Sequence, residues 1–175
     1  MTLDLSLGEF QALALKALRG AGYTWGQAED GARAARALAA SDLPAAAALC
    51  ALLTSLPEAA LCPICQGCAL SDQGIDEEKN LQVVLPILLL PALGFRGFEM
   101  NGQGIEALAG PDGFTFAGPI DGQVYAVSIA PSRRTMPEAR SSRARLSQSE
   151  FDQLQSFAHR TYAPATEESR LKGAG

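Results

Sequence analysis

The stretch SLGEFQALALKALRGAGYTWGQAEDGARAARALAA, Ser6–Ala40, predicts two consecutive helices and decides the helical half of the fold. Each predicted helix opens on a capping box, Ser6–Glu9 or Thr24–Gln27, in which two residues three apart satisfy each other's backbone N–H groups. Apolar residues then recur at intervals of three and four, as on one face of a helix. Gly20 or Gly22 ends the first helix, and the apolar face of the second is mostly alanine.

Three further helices are predicted beyond this stretch. One begins at Asp42–Pro44 and ends near Leu56, with a proline near the first turn, where its missing N–H is tolerated. The second begins on a third capping box, Ser147–Glu150, and ends near residues 159–160. A last short helix is predicted to begin at Pro164, with acidic residues in its first turn and basic residues in its last.

The central part of the chain, from residue 83 to about 129, carries the pattern of strands and turns. Val83–Leu90 is uniformly apolar, which fits either a strand buried on both faces or a buried helical turn. The strings Gly-Pro-Asp-Gly and Pro-Ile-Asp-Gly predict turns. Side chains alternate along Val124–Ile129 as in a half-buried strand. Strands joined by such short turns are expected to pair antiparallel.

These elements predict an α+β fold with N-terminal helical hairpins, a central and mainly antiparallel sheet, and C-terminal helices packed on that sheet. The whole chain, 1–175, is expected to form a single domain. Within it, residues 1–57 are the helical part, 81–131 the strand-rich part and 147–175 the C-terminal helices. A chain of this length can bury a core of its own.

Composition narrows the class of protein. Hydrophobic residues make up 47% of the chain and charged residues 19%, which is typical of a globular protein. The first residues carry acids where a signal peptide needs basic residues. The most apolar run, Leu81–Phe95, is shorter than a membrane span and is broken by two prolines. We therefore expect a cytoplasmic protein that does not enter a membrane.

The charge of the chain argues against a nucleic-acid partner. The net charge is −5, so the chain as a whole would repel phosphates. One basic run, Arg133–Arg145, holds five arginines and one glutamate and could grip phosphate or RNA. It contains no aromatic residue to stack on bases. We interpret it as a mobile loop with hydrated charges.

The string LCPICQGC places Cys62, Cys65 and Cys68 three residues apart, with Cys50 twelve residues before the first. Four thiolates could hold zinc or an iron–sulfur cluster, and Cys62 with Cys65 could form a redox pair. Neither spacing comes with its usual partners, since the fourth cysteine of a ferredoxin run is missing. A cysteine on an apolar helix, such as Cys50, behaves as a small hydrophobe. Structural thiols without a metal are favoured, and the cofactor is unknown.

The string HRTYAPATEESR, residues 159–170, concentrates polar groups and holds the only histidine of the chain. A catalytic interpretation makes His159 a general acid or base. A binding interpretation lets Arg160 or Arg170 hold an anion through two parallel hydrogen bonds. The residues that would add hydroxyl groups are Thr161, Tyr162, Thr166 and Ser169. The alternative is a helix-ending cation with ordinary surface charges around it.

Two motifs connect the chain to a known family. The first is R-G-A-G-x-x-W-G at Arg19–Gly26, and the second is T-Y-x-P-x-T-x-x-S-R followed by Gly-Ala-Gly at Thr161–Gly175. With them the chain resembles, over nearly its whole length, the bacterial family called domain of unknown function 3726. That resemblance implies no particular activity. We add Arg19 and Trp25, which belong to the first motif, to the candidate ligand-binding residues.

A weaker resemblance covers the first fifty residues. The helix pair with A-G-x-x-x-x-x-A-E and A-x-x-L-A-A-S-D-L is similar to the N-terminal helices of the type-2 malate/lactate/sulfolactate dehydrogenases, which use NAD(P). That family continues with Ser-His-Gly, whereas here Leu43 is followed by Pro-Ala-Ala-Ala. The matching histidine is absent, so this resemblance implies a shared fold fragment rather than hydride transfer.

Three functions follow as hypotheses. The preferred one is a binding or accessory domain that recognises a small anionic metabolite. The second is an enzyme that uses His159 as acid or base. The third is a structural or interaction protein whose alanine-rich helices pack in a homodimer. In all three, Trp25 is interpreted as an anchor in the core or in an interface.

Overall fold

A computed structural model describes residues 2–94, 96–134 and 140–161 of the chain, which form six α-helices, seven β-strands and one 3₁₀ turn. The helices are α1 (Leu7–Gly20), α2 (Trp25–Ala40), α3 (Ala45–Ser55), α4 (Pro63–Gln73), α5 (Leu89–Leu93) and α6 (Gln148–His159). The strands are β1 (Thr2–Ser6), β2 (Lys79–Val84), β3 (Phe98–Gly102), β4 (Ile105–Gly110), β5 (Gly113–Ala117), β6 (Val124–Pro131) and β7 (Arg143–Ser147). The 3₁₀ turn is Pro86–Leu88.

The predicted α+β class and the antiparallel sheet are confirmed. Five strands form the central sheet in the order β2-β6-β3-β4-β5, and every adjacent pair is antiparallel. The two remaining described strands, β1 and β7, form a separate antiparallel pair. The tight turn predicted at Gly110–Gly113 joins β4 to β5. The next two strands, β5 and β6, do not pair, because β6 crosses back and lies between β2 and β3.

The three capping boxes are confirmed as helix starts. At Ser6, Thr24 and Ser147 the side-chain oxygen accepts the backbone N–H of the residue three positions later. The side chain of that later residue in turn accepts the backbone N–H of the cap residue. Both partners of each box lie within one turn, so the sequence alone specifies them. The predicted third helix begins at Ala45, with Pro44 as its cap.

The apolar run after residue 82 contains both a strand end and a helical turn, the two alternatives predicted for it. Strand β2 ends at Val84, Leu85 adopts a left-handed conformation with φ of 51°, and a 3₁₀ turn leads into α5. Pro86 has no N–H to donate to a neighbouring strand, which favours the end of the strand here. Helix α4 and strands β1 and β7 were not predicted at all.

The basic run was interpreted as a mobile loop with hydrated charges, and this is wrong for residues 143–145, which belong to β7. Arg143 begins β7, and its Nε lies 3.1 Å from Oδ1 of Asp4 in the paired strand β1. Arg134 and Arg140 form ion pairs of 3.2 and 2.9 Å with Glu106 and Asp112, respectively. The acids come from distant segments, so the local count of charges does not reveal them. Residues 135–139 lie outside the described part.

Among the residues that the structure describes, the buried apolar side chains form two clusters. One lies among the helices and includes Phe10, Leu18, Leu49, Leu52 and Leu154. The other covers the central sheet and includes Leu90, Met100, Phe114, Val127 and Ile129. Burying each large side chain contributes about 1.5–3 kcal/mol to folding. In the described part of the chain, no helix is long and apolar enough to cross a membrane.

Candidate functional site

The closing motif is only partly described. Tyr162, Thr166, Ser169 and Arg170, together with the predicted last helix, lie outside the described residues. Helix α6 ends at His159 as expected. The Arg160 guanidinium lies 4.2 Å from the centre of the Phe157 ring, and the Thr161 hydroxyl donates to the Ala158 carbonyl at 2.7 Å.

The C-terminal ends of α1 and α6 lie side by side. Gly20 is packed so closely on α6 that an added Cβ would lie 1.8 Å from the carbonyl oxygen of Phe157 and 3.4 Å from the Cβ of Arg160. The first signature motif therefore touches the residues that lead into the second. The sequence did not indicate this contact, because the two stretches are about 140 residues apart.

Arg19 and Trp25 form one unit at this end of the molecule. The Arg19 Nη1 donates to the carbonyl of Tyr23, and its guanidinium lies 4.8 Å from the centre of the Trp25 ring. Trp25 is 63% exposed, so the interpretation of Trp25 as a core anchor is wrong. Trp25 is the first residue of α2 and directly follows the N-cap Thr24.

His159 lines a groove of about 340 Å³ between α1 and α6. Lys16 and Glu9 of α1 line the same groove, together with the apolar side chains of Leu13 and Phe151. An imidazole, an ammonium and a carboxylate therefore share one surface depression. Neither Arg19 nor Arg160 belongs to the described walls of this groove.

The four cysteines do not converge on one point. Cys50 lies in α3 and its thiol donates to the Glu150 carbonyl at 3.6 Å, while the other three lie along α4 or at its start. Burial raises the pKa of Cys50 to about 12, and the Glu150 carboxylate adds to this. Among the described residues, no three His, Cys, Asp or Glu side chains are arranged to hold a metal ion. Cys50 instead occupies the apolar contact between α3 and α6.

The three cysteines of α4 face α2 and the turn before it. The hydroxyl of Tyr23 lies 3.5 Å from Sγ of Cys62, and the Gln27 amide donates to Sγ of Cys65 at 3.5 Å. Cys68 donates to the Asp30 carboxylate at 3.0 Å. A cavity of about 310 Å³, here called the thiol cavity, is lined by Ala21, Gly22, Tyr23, Gln27, Leu56, Pro57, Ala59, Cys62 and Cys65.

A second cavity, of about 380 Å³, lies where α2, α4, α5 and β5 meet. We call it the arginine cavity. Its walls are Asp30, Arg33, Ala37, Ser71, Pro91, Ala92, Leu93, Gly94, Arg96 and Phe114. Two guanidinium groups therefore stand around one partly apolar depression. The sequence carried one signal for this cavity, since Arg96 directly follows the most apolar run of the chain and precedes Gly97.

Arg96 is fixed at the edge of this cavity. Its guanidinium lies 4.3 Å from the centre of the buried Phe114 ring, and Nη1 donates to the Gly113 carbonyl at 3.4 Å. Partial burial lowers the pKa of Arg96, while the carboxylate of Asp112 acts in the opposite direction. Stacking on an aromatic face limits the rotation of the arginine head and leaves its planar edge for hydrogen bonding.

The remaining polar groups define what the arginine cavity can bind. Arg33 forms an ion pair with Asp30 one turn earlier on α2, and Ser71 supplies a hydroxyl from α4. Two arginines and one aspartate leave a charge of +1 on this lining. Guanidinium groups bind carboxylates and phosphates through paired hydrogen bonds. The arrangement is therefore suited to one small anion.

Comparison with known proteins gives one match. A family model described as "Protein of unknown function (DUF3726)" matches residues 5–100. No curated protein and no solved structure matches the chain. The matched region includes α1 to α5 and with them the thiol cavity, Arg33 and Arg96.

Proposed function

For this chain, which belongs to the DUF3726 family of proteins of unknown function, we propose the binding of a small organic anion in the arginine cavity. The observation that carries the proposal is the placement of Arg33 and Arg96 around one depression with an apolar wall. The chain would act as a binding or accessory domain in the cytoplasm, where the thiols of its four cysteines persist.

Arg96 is the residue that would hold the anion. Its present hydrogen-bond acceptor is a neutral carbonyl at 3.4 Å, which is a weak partner for a full positive charge. The lowered pKa reflects the same incomplete compensation, since partial burial removes water that the cation would otherwise hold. A carboxylate entering the cavity would supply the missing negative charge.

The remaining lining favours a singly charged ligand with an apolar part. Asp30 already neutralises much of the charge of Arg33, so a second negative charge would meet repulsion rather than a further cation. Pro91, Ala92 and Leu93 form the apolar wall of the cavity. A monocarboxylate with a short hydrocarbon body matches both features better than inorganic phosphate does.

A thermal-shift screen tests the proposal. The panel contains monocarboxylates, dicarboxylates, inorganic phosphate, nucleotides and NAD(P), because a ligand that binds only the folded state raises the melting temperature. The variants are Arg96→Gln and a matched control, Arg36→Gln, which removes an exposed arginine of α2 that bonds to Gln11 outside the cavity. We expect a shift with a monocarboxylate that Arg36→Gln keeps and Arg96→Gln loses. A shift that survives in Arg96→Gln contradicts the proposal, as does the absence of any shift.

The closing motif stays a proposed second ligand-binding segment. The contact between Gly20 and α6 supports it, since that contact brings the arginine of the first motif near the start of the second. The residues proposed to bind there are Arg19, Trp25, Arg160, Tyr162, Thr166, Ser169 and Arg170. Arg160→Ala and Arg170→Ala in the same screen separate this segment from the arginine cavity.

A second candidate function is acid–base catalysis by His159. The groove that His159 shares with Lys16 and Glu9 favours it, because an imidazole in a surface depression with an ammonium and a carboxylate can meet a bound substrate. The variant His159→Gln keeps the size of the side chain and removes the titrating ring. Full turnover of any discovered substrate by this variant would exclude a catalytic role.

Association of two copies is a third candidate. The 63% exposed indole of Trp25 favours it, since large exposed aromatic side chains are common in protein interfaces. Light scattering across micromolar concentrations tests this proposal. A monomeric mass throughout the range contradicts it.

A further inference from the structure

We propose that Cys62 and Cys65 form a reversible dithiol–disulfide pair that exchanges with low-molecular-weight disulfides entering the thiol cavity. This site is separate from the arginine cavity. It rests on the arrangement of two thiols, two polar neighbours and a cavity that receives them.

The two cysteines stand at the start of α4 with the spacing that a disulfide needs. Cys62 is the N-cap residue, Pro63 begins the helix, and Cys65 follows in the first turn. Residues three apart on a helix have Cα atoms about 5 Å apart, and disulfides span Cα separations of roughly 4.4–6.8 Å. The Cys62 carbonyl accepts the Gln66 N–H at 3.0 Å, so the backbone of Cys62 lies in register with the first turn of the helix. Cys62 lies close enough to Cys65 to add, after burial, to the raised pKa of the Cys65 thiol.

The thiol cavity presents this pair to a small molecule. Both sulfurs belong to its lining, with Tyr23 and Gln27 beside them. Cys62 is 1% exposed, whereas Cys65 is half-buried and lies on the open side of the pair. Cys65 is therefore the thiol that an incoming disulfide meets first. The Gln27 amide, which donates to Sγ of Cys65, can stabilise negative charge as it develops there.

The other two cysteines are arranged differently. Cys68 lies one turn further along α4 and donates to the Asp30 carboxylate at 3.0 Å. Cys50 is directed toward the Glu150 carbonyl, between α3 and α6. Neither lines the thiol cavity, so neither is the expected partner of an incoming disulfide. The geometry selects one pair out of the three cysteines that are evenly spaced in the sequence.

The exchange proceeds in two balanced steps. The Cys65 thiolate attacks one sulfur of the small disulfide, forms a mixed disulfide and releases one thiolate. The Cys62 thiolate then attacks the Cys65 sulfur, closes the protein disulfide and releases the second thiolate. The two released thiolates take up the two protons that the cysteines lost. Two protein thiols are oxidised, and one small disulfide is reduced to two thiols.

The pKa of Cys65 determines how fast the pair exchanges and how readily its disulfide is reduced. Burial first, and Cys62 beside it second, raise the pKa of Cys65 to about 12. Little thiolate exists near neutral pH, so exchange is slow there and accelerates about tenfold per pH unit below this pKa. A stabilised thiolate would favour the reduced form, and here no thiolate is stabilised. The Cys62–Cys65 disulfide is therefore comparatively resistant to reduction.

The test counts alkylatable thiols by intact mass after incubating the folded protein with glutathione disulfide, quenching in acid and denaturing. We expect wild type to fall from four thiols to two without an adduct. Cys68→Ser should fall from three to one. Cys62→Ser should trap one glutathione on Cys65, because the resolving thiol is missing, and Cys65→Ser should keep three free thiols.

Several results would overturn the proposal. One is a wild-type protein that keeps four thiols at pH 9, and another is a Cys68→Ser variant that keeps three. Loss of two thiols without an adduct in Cys62→Ser or Cys65→Ser would show that a different pair closes. If those two variants fail to fold, the thiol counts of wild type and Cys68→Ser still test the proposal. Cys50→Ala is the matched control, and it should still lose two thiols.

Discussion

Gly20, the last residue of α1, lies directly against the backbone carbonyl of Phe157 in α6, where an added Cβ would stand 1.8 Å from the oxygen. The contact leaves no room for a side chain, because backbone rather than a flexible side chain stands in the way. The close approach of the two helix ends therefore depends on glycine at this position.

Gly20→Ala is predicted to destabilise the protein by about 1–3 kcal/mol, the usual cost of forcing atoms into a filled contact. This loss outweighs the gain of roughly 0.5–1 kcal/mol that alanine brings to a helix. The control is Gly8→Ala in the same helix, where nothing lies within 4 Å of the new Cβ. It should leave stability unchanged or raise it. Urea unfolding of both variants measures the difference, and equal stabilities would show that α6 moves away freely.

Arg96→Gln is predicted to weaken monocarboxylate binding by about ten- to a hundredfold, since a hydrogen bond to a charged group contributes roughly 1.5–3 kcal/mol. Binding by wild type should also weaken as salt is added, because both arginines of the cavity lie at the surface. Isothermal titration at two ionic strengths measures both effects. Salt-independent binding would point to an apolar rather than an anionic ligand.

The free energy of unfolding is predicted to fall as the pH rises from about 9 to 12. Burial raises the pKa of Cys50 in the folded state to about 12, so the unfolded chain loses this proton first. The contribution of Cys50 to the free energy of unfolding is complete below the ordinary thiol pKa and is lost as the pH approaches the pKa of the folded state. The total loss is on the order of 2–4 kcal/mol. Denaturant unfolding of wild type and Cys50→Ala at several pH values checks this. The variant should show the shallower decline, and parallel declines would assign the effect to other groups.

Trp25→Ala is predicted to change the stability of the monomer by less than about 1 kcal/mol. Truncating a buried tryptophan costs roughly 3–5 kcal/mol, whereas this indole is 63% exposed and rests on the Arg19 guanidinium. Chemical unfolding at low protein concentration provides the comparison. A large loss at low concentration would mean that the indole is buried in solution. A loss that appears only at high concentration would instead support association through Trp25.

The helices that begin on capping boxes could be predicted because their signals are local. In each box a hydroxyl and a carboxylate or amide three residues later satisfy the helix start by themselves. Helix α4 has no side-chain cap hydrogen bond, so no local signal predicts its start. The spacing of its cysteines suggested a metal site rather than a helix. The contacts of its cysteines are with Tyr23, Gln27 and Asp30, which lie in α2 or just before it and are distant in sequence.

Long-range pairing explains most of what could not be predicted. Strands β1 and β7 are each five residues long and pair Thr2 with Ser147, so neither has a partner nearby in sequence. The arginine cavity likewise combines α2, α4, α5 and β5. For the family's closing motif, the described residues stop at Thr161, and the roles proposed for Tyr162 through Arg170 remain predictions.

The pairing of β1 with β7 also determines when the N-terminal end of the chain can fold. Strand β1 hydrogen-bonds to residues 143–147, and α1 packs on α6 immediately after them. Helix α1 can pack on α2 as soon as α2 is made, whereas strand β1 waits for a partner that is made more than a hundred residues later. Contacts so far apart in sequence form slowly, because a long loop must close before they bring any gain. Strand β1 is thus made long before its partner and is among the last elements to reach its native place.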